Sequence, residues 1–258
     1  MYPIDLREKT AVVFGVANHR SIAWAIAKAL HDAGARVGIT YQDERLKERV
    51  EKLTESWEDV LLLECDVSTD DQISRTFQQV KEKWGKLSIV IHSVAFALRE
   101  ELEGDFSMTT REGFRTALDI SAYSLIQIAK SAAPLMTDTE GSIVAMTFQA
   151  SERVFPGYNI MGTAKAALEN EVRQLAYEFG QRGIRVNALS PGPLETLAAR
   201  GIHGFLDMKK VHAERSPLGR NITHEEVARA ALFLCSDLAS GVTGVVLPVD
   251  AGYHIMAV

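Results

Sequence analysis

The 258-residue sequence predicts an α/β fold, a doubly wound domain whose central parallel sheet carries helices on both faces. Two observations carry that expectation. Short runs dominated by Val, Ile and Leu alternate with longer segments whose apolar residues recur at helical spacing. The short runs are also continuously apolar, as strands must be when both faces of their sheet are covered. No linker, low-complexity tract or internal repeat divides the pattern, so residues 1–258 are expected to form one domain.

The elements follow in order. "KTAVVFG" (9–15) is a β-branched strand ending in Gly, and "SIAWAIAKALHDAGA" (21–35) supplies the helix after it. "ARVGITY" (35–41) and "DVLLLECDV" (59–67) are the next strands, each followed by a charged amphipathic helix, "DERLKERVEKL" (43–53) and "DDQISRTFQQVKEKWG" (70–85). "KLSIVIHSVAF" (86–96) reads as strand and loop, and one long helix is expected over 110–136. "GSIVAMTF" (141–148) is a strand, and its helix is expected to run from 158 to 182. "IRVNALSPGP" (184–193), a less regular stretch at 194–216, the helix "THEEVARAALFLCSD" (223–237) and the strand "TGVVLPVD" (243–250) complete the chain.

Bulk properties narrow the function. Apolar content of 47% and charged content of 24% are ordinary for a soluble protein, and no apolar run nears the roughly 20 residues of a membrane span. The first ten residues, "MYPIDLREKT", place charges where a signal peptide needs its apolar centre, so a cytoplasmic location is expected. Two distant cysteines, Cys65 and Cys235, fit a reducing compartment. A net charge of −6 without a dense Lys/Arg block argues against nucleic-acid binding, and the seven His show no metal-ligand spacing. Small-molecule chemistry is left.

In a doubly wound sheet, ligands bind beyond the carboxyl ends of the strands. After the first strand, Gly15 is followed by Ser21 at a helix start, where backbone N–H groups can hold a pyrophosphate; a plain turn with Ser21 as N-cap fits equally. Gln42 stands at the end of the second strand in place of the acid that commonly clamps a ribose. Asp66 and Val67 close the third, where the carboxylate either accepts from an adenine amine or initiates a turn. Ser93 to Ala97 are small enough for close backbone approach, to a ligand or to a covering helix. Tyr158 and Lys165, seven positions apart, would lie within roughly 20° of one another on a helix. They could share one ligand, or be a core Tyr and a surface Lys.

These residues together resemble a known family. Gly15 with Ser21-Ile22-Ala23, "CDV" (65–67), "HSVAFA" (92–97), "DISAYSL" (119–125), Tyr158 with Lys165, "RVNALSPGPLETLAA" (185–199) and "GYHIM" (252–256) are similar to the enoyl-acyl-carrier-protein reductases, a divergent branch of the short-chain dehydrogenase/reductases. Most of that superfamily places Lys four positions after Tyr; here that position is Gly162, and the longer spacing is the enoyl-reductase one. The resemblance covers nearly the whole chain. It implies a Rossmann-like domain that binds NADH (NAD+) and reduces a trans-2-enoyl thioester of acyl carrier protein in fatty acid synthesis, working as a homotetramer.

Carried over by position, Gly15, Ser21 and Ile22 would hold the pyrophosphate, and Gln42, Asp66 and Val67 would frame the adenosine. Ser93 and Val94 would line the ribose side, and Leu194 and Thr196 the nicotinamide end. Ala97 and Tyr158 would touch substrate. Tyr158 would steady an enolate oxygen; Lys165 would bind the ribose hydroxyls, its charge favouring the phenolate. Arg45 or Lys47 would serve a 2′-phosphate only if their loop turned inward.

Departures from the family pattern are present. Phe148 stands where many members carry a second Tyr, and Pro191 and Glu195 stand where many carry Ala and Arg. The expected lid at 194–216 offers Arg200, Lys209 and Lys210 to an acidic carrier protein but places Leu206 and Asp207 where relatives are basic; Gly201 and Gly204 would let it move. Two other readings stand beside the first: a carbonyl reductase, and a nucleotide-binding oligomer with little catalysis.

Overall fold

The computed structural model describes residues 4–197, 199 and 204–257. Seven strands, β1 (Thr10–Phe14), β2 (Arg36–Tyr41), β3 (Val60–Glu64), β4 (Ile89–His92), β5 (Ser142–Met146), β6 (Arg185–Pro191) and β7 (Val246–Val249), form one sheet in the order β3-β2-β1-β4-β5-β6-β7. Every pairing is parallel, with Val12 of β1 opposite Gly38 on one side and Val90 on the other. After β3 the chain returns to β4 on the far side of β1. The strand order reverses there, leaving a crevice beyond the carboxyl ends of β1 and β4.

Each face of the sheet has its own apolar core. On one, α1 (Ile22–Asp32) and α8 (His224–Cys235) pack together, burying Ile26, Leu30 and Leu234 over Val37, Ile39 and Ile91. On the other, α3 (Asp70–Trp84) and α6 (Ile160–Gly180) bury Ile73, Phe77, Leu168 and Val172 over Phe14 and Val90. The continuous apolar strands of the sequence are thus covered on both sides. α2 (Glu44–Leu53) sits at the β2–β3 side with Val50 as its buried contact.

Two helical expectations are corrected. The helix expected over 110–136 is α4 (Arg111–Leu118), a π turn at Asp119–Tyr123, α5 (Ser124–Ala132) and a 3-10 turn at Ala133–Leu135. Serine hydroxyls compete for the backbone at the π turn: Ser124 Oγ donates to the Ile120 carbonyl at 2.7 Å, and Ser121 Oγ to the Phe96 carbonyl at 2.9 Å.

The helix expected from 158 begins at Ile160, because Asn159 holds φ 37° and ψ −122°, far from helical values. Its side-chain amide donates to the Gly104 carbonyl at 3.2 Å. Tyr158 therefore stands ahead of the helix, and a shared helical stripe does not explain its relation to Lys165. α7 (Phe205–Arg215) follows in the region expected to be a lid.

Candidate active site

The crevice opens into a cavity of about 730 Å³ lined by all the residues singled out at the strand ends. Gly15, Ser21 and Ile22 form one end; Gln42, Asp66 and Val67 a second; Ser93, Val94 and Ala97 the floor; Tyr158, Lys165, Leu194 and Thr196 the far wall.

The β1 turn is built for close approach. Gly15 has φ +99°, and a Cβ there would stand 2.1 Å from the Ser93 carbonyl oxygen, so no other residue fits. Ser21 does not cap α1. Its Oγ instead accepts from the Ala17 and Asn18 amides at 3.0 and 3.1 Å, closing the turn behind it. α1 thus starts at the cavity wall with no side-chain cap, the arrangement in which helix-start N–H groups receive a phosphate.

At the end formed by β2 and β3, Gln42 Nε2 donates to Asp66 Oδ2 at 3.0 Å, and Ser68 donates to Asp66 Oδ1 through its amide and hydroxyl at 3.0 and 2.7 Å. Burial pushes the Asp66 carboxyl upward, but the bonds from Gln42 and Ser68 outweigh it and hold the group below its ordinary range. It is a carboxylate acceptor at neutral pH. The nearby cations are committed elsewhere: Arg45 lies 4.0 Å from Asp43, Lys47 donates to Glu44 at 3.0 Å, and neither lines the cavity.

The floor is pinned from the π turn. Ser121 Oγ accepts from the Phe96 amide and donates to the Phe96 carbonyl, both at 2.9 Å, and so sets the course of the loop carrying Ala97. Beneath it, His92 is fully buried with Nε2 2.8 Å from Ser124 Oγ. Burial, reinforced by the Lys165 charge, lowers His92 to about 3 and keeps the ring neutral.

At the far wall, Tyr158 packs its ring against Phe148 at 5.0 Å between centroids, and Phe148 packs on Phe155 at 4.8 Å. Burial pushes the phenol above its ordinary range. Burial thus keeps the group a protonated donor. Lys165 is buried and donates to the Met146 carbonyl at 2.8 Å. Burial lowers it to about 8, with Glu169 pulling the other way. Of its three N–H donors, one is committed to that carbonyl. An anion-cradling turn, an acceptor for an amine and a buried cation with spare donors fit a dinucleotide along this wall.

Sequence reasoning missed the apolar end of the cavity: beside Phe96 of the 93–97 stretch, Leu102, Met161, Phe205 and Met208 also line it. Met161 lies three residues after Tyr158, a spacing that was a usable signal; the others come from loops and α7 and had none. Of the expected lid cations, Lys209 is tied to Glu195 and Lys210 lies 4.0 Å from Glu214. Arg200 and Gly201 lie outside the described residues. Gly204, with φ 73°, precedes α7.

Residues 15–254 match the family model described as enoyl-(acyl carrier protein) reductase. The chain belongs to this family. It is 52% identical to an enoyl-acyl-carrier-protein reductase (NADH) of Nostoc sp., covering 98% of this chain and 99% of that one. The Bacillus cereus enoyl-acyl carrier protein reductase, solved with NADP+ and indole naphthyridinone, superposes with a TM-score of 0.96 at 47% identity, covering 98% of this chain and all of that one. The Anaplasma phagocytophilum reductase solved with NAD gives 0.94 at 44% identity, covering 98% and 96%. The reductase relatives thus span the same length and the same crevice-bearing fold.

Proposed function

We propose that the chain reduces the carbon–carbon double bond of trans-2-enoyl thioesters carried by acyl carrier protein, with NADH, as a step of fatty acid synthesis. The observation that carries this reading is the far wall: a protonated phenol with no hydrogen-bond partner among the described residues, beside an apolar chamber and a buried cation. Bound NADH supplies the hydride that reaches the β-carbon. Negative charge then develops on the thioester oxygen, and Tyr158 donates its hydrogen bond and proton to that oxygen. Its raised affinity for the proton keeps the donor loaded at neutral pH.

Lys165 turns its free donors to the nicotinamide ribose hydroxyls, while Leu194 and Thr196 border the nicotinamide. Gly15, Ser21 and Ile22 receive the pyrophosphate; Gln42, Asp66 and Val67 take the adenosine; Ser93 and Val94 line the ribose. Ala97, Phe96, Met161 and Phe205 enclose the acyl chain, with the 194–216 segment as lid. NADH is preferred to NADPH because neither Arg45 nor Lys47 lines the cavity. The second hydroxyl lost with Phe148 is replaced by ring packing that supports Tyr158.

Residues 1–258 act as one cofactor-binding and catalytic domain. We infer a cytoplasmic homotetramer, supported by the buried free thiols and by exposed Phe114, Tyr123, Ile126 and Tyr177 on the helices outside the sheet. A second cavity between Phe114, Tyr123 and Glu171 lies on the same face. Light scattering after size-exclusion chromatography should give the mass of four chains; a monomer would overturn this.

The function is tested by following NADH absorbance. Oxidation with a trans-2-enoyl acyl-carrier-protein thioester and not with ketones is expected. Consumption with ketones alone would make the chain a carbonyl reductase, and NADH binding without turnover of either would make it a nucleotide-binding oligomer.

A further inference from the structure

A second acid and a hydroxyl stand behind the cation of the site. Glu169 lies one helical turn after Lys165 on α6, and both are 4% exposed. A carboxylate at that depth requires a hydrogen-bond partner. Its partner is Thr147, also 4% exposed, whose hydroxyl donates to Glu169 Oε1 at 2.6 Å. Thr147 directly follows Met146, the residue whose carbonyl receives the Lys165 ammonium. The Thr147 amide is in turn fixed to the Leu189 carbonyl of β6 at 2.8 Å.

Two routes therefore run from Glu169 to Lys165. One is the field of an anion one turn away in a poorly solvated interior, where it is screened far less than at a surface. The other is mechanical, through the end of β5, whose carbonyl sets the direction of the ammonium. Among the described residues the hydrogen bond of Glu169 is to Thr147 and that of Lys165 is to the Met146 carbonyl, so Glu169 leaves the remaining Lys165 donors uncommitted. The other titratable groups facing Lys165 are His92 from β4, neutral because it is buried beside this charge, and the protonated Tyr158 from the turn before α6.

We propose that Glu169, acting through its field and through Thr147, is a positioning residue that keeps Lys165 protonated and aimed at the cofactor ribose. This rests on the reading of Lys165 as a cofactor ligand. Burial lowers Lys165 and Glu169 opposes it, the two together leaving the ammonium at about 8, so loss of the Glu169 charge would lower it further.

The test is NADH affinity against pH, read by cofactor fluorescence on the intact chain without any enoyl substrate. Wild type should lose affinity as pH rises past the Lys165 titration, and Lys165→Met should lack that limb. In Glu169→Gln, whose amide oxygen still accepts from Thr147, the limb should begin about one pH unit lower. Thr147→Val should shift it in the same direction, and Thr147→Ser should restore it.

A folded Glu169→Gln whose limb coincides with wild type overturns the inference, because a merely structural role lowers the melting temperature without moving a titration. If Glu169→Gln does not fold, Thr147→Val decides alone by the same criterion. A wild-type limb that survives in Lys165→Met removes Lys165 from the cofactor site, and this inference with it.

Discussion

The two ends of the cavity are built by different means. The end proposed for the nucleotide is backbone and short polar side chains at the ends of β1 to β4: a glycine turn, an uncapped helix start and a carboxylate held by two neighbours. The end proposed for the acyl chain is rings and flexible apolar side chains carried on loops, one 3-10 turn, α6 and α7, beside the strained junction at Asn159. A sheet positions main-chain groups with little freedom, which suits a cofactor that is always the same. Loops and long side chains adapt to a substrate whose chain varies.

The largest test of that contrast is Gly15→Ala. A Cβ 2.1 Å from the Ser93 oxygen, at φ +99°, has nowhere to go, so NADH dissociation constants measured by calorimetry should rise at least about 100-fold. A near-normal constant would mean that the turn yields and that the nucleotide end is not the rigid half. Tyr158→Phe probes the other end: kcat should fall about 100- to 1,000-fold while NADH affinity changes less than about twofold. Unchanged turnover of a crotonyl thioester would remove Tyr158 from the chemistry.

The seam between the halves contains His92, and its effect is on stability. Its folded value of about 3 lies below the ordinary 6.5, so the unfolded chain takes up the proton first as pH falls. The stability of the neutral buried ring is complete above 6.5 and is lost toward 3. Between pH 7 and 5 this amounts to about 2 kcal/mol, and His92→Gln should show a urea-unfolding loss smaller by about that much. An equal loss in both proteins would place the acid sensitivity elsewhere.

Phe148→Tyr should have the smallest effect, a change in kcat within about threefold, because the added hydroxyl joins a donor already in place. A tenfold gain would show instead that the acyl end of this chain is chemically incomplete.

Much of this was legible in the amino-acid sequence. Strand periodicity determined the sheet and its covering helices, since a strand buried on both faces must be apolar throughout. The residues at the carboxyl ends of the strands identified the crevice, because local composition and chain order place them there whatever the details of packing. The glycine at position 15 and the Tyr158/Lys165 pair were visible as residue types in the right order.

Tertiary structure alone decided the rest. Ser121 and Ser124 break the expected helix because their hydroxyls meet backbone from distant and local carbonyls, which no periodicity records. Asn159 moves Tyr158 out of α6, so the phenol reaches the cavity that Lys165 also lines through a strained turn and not through helical spacing. The protonation of that phenol and the link from Glu169 to Thr147 depend on burial and on a contact between residues remote in the chain. Those are properties of the packed interior, where the surrounding dielectric and the available partners set the charge of each group.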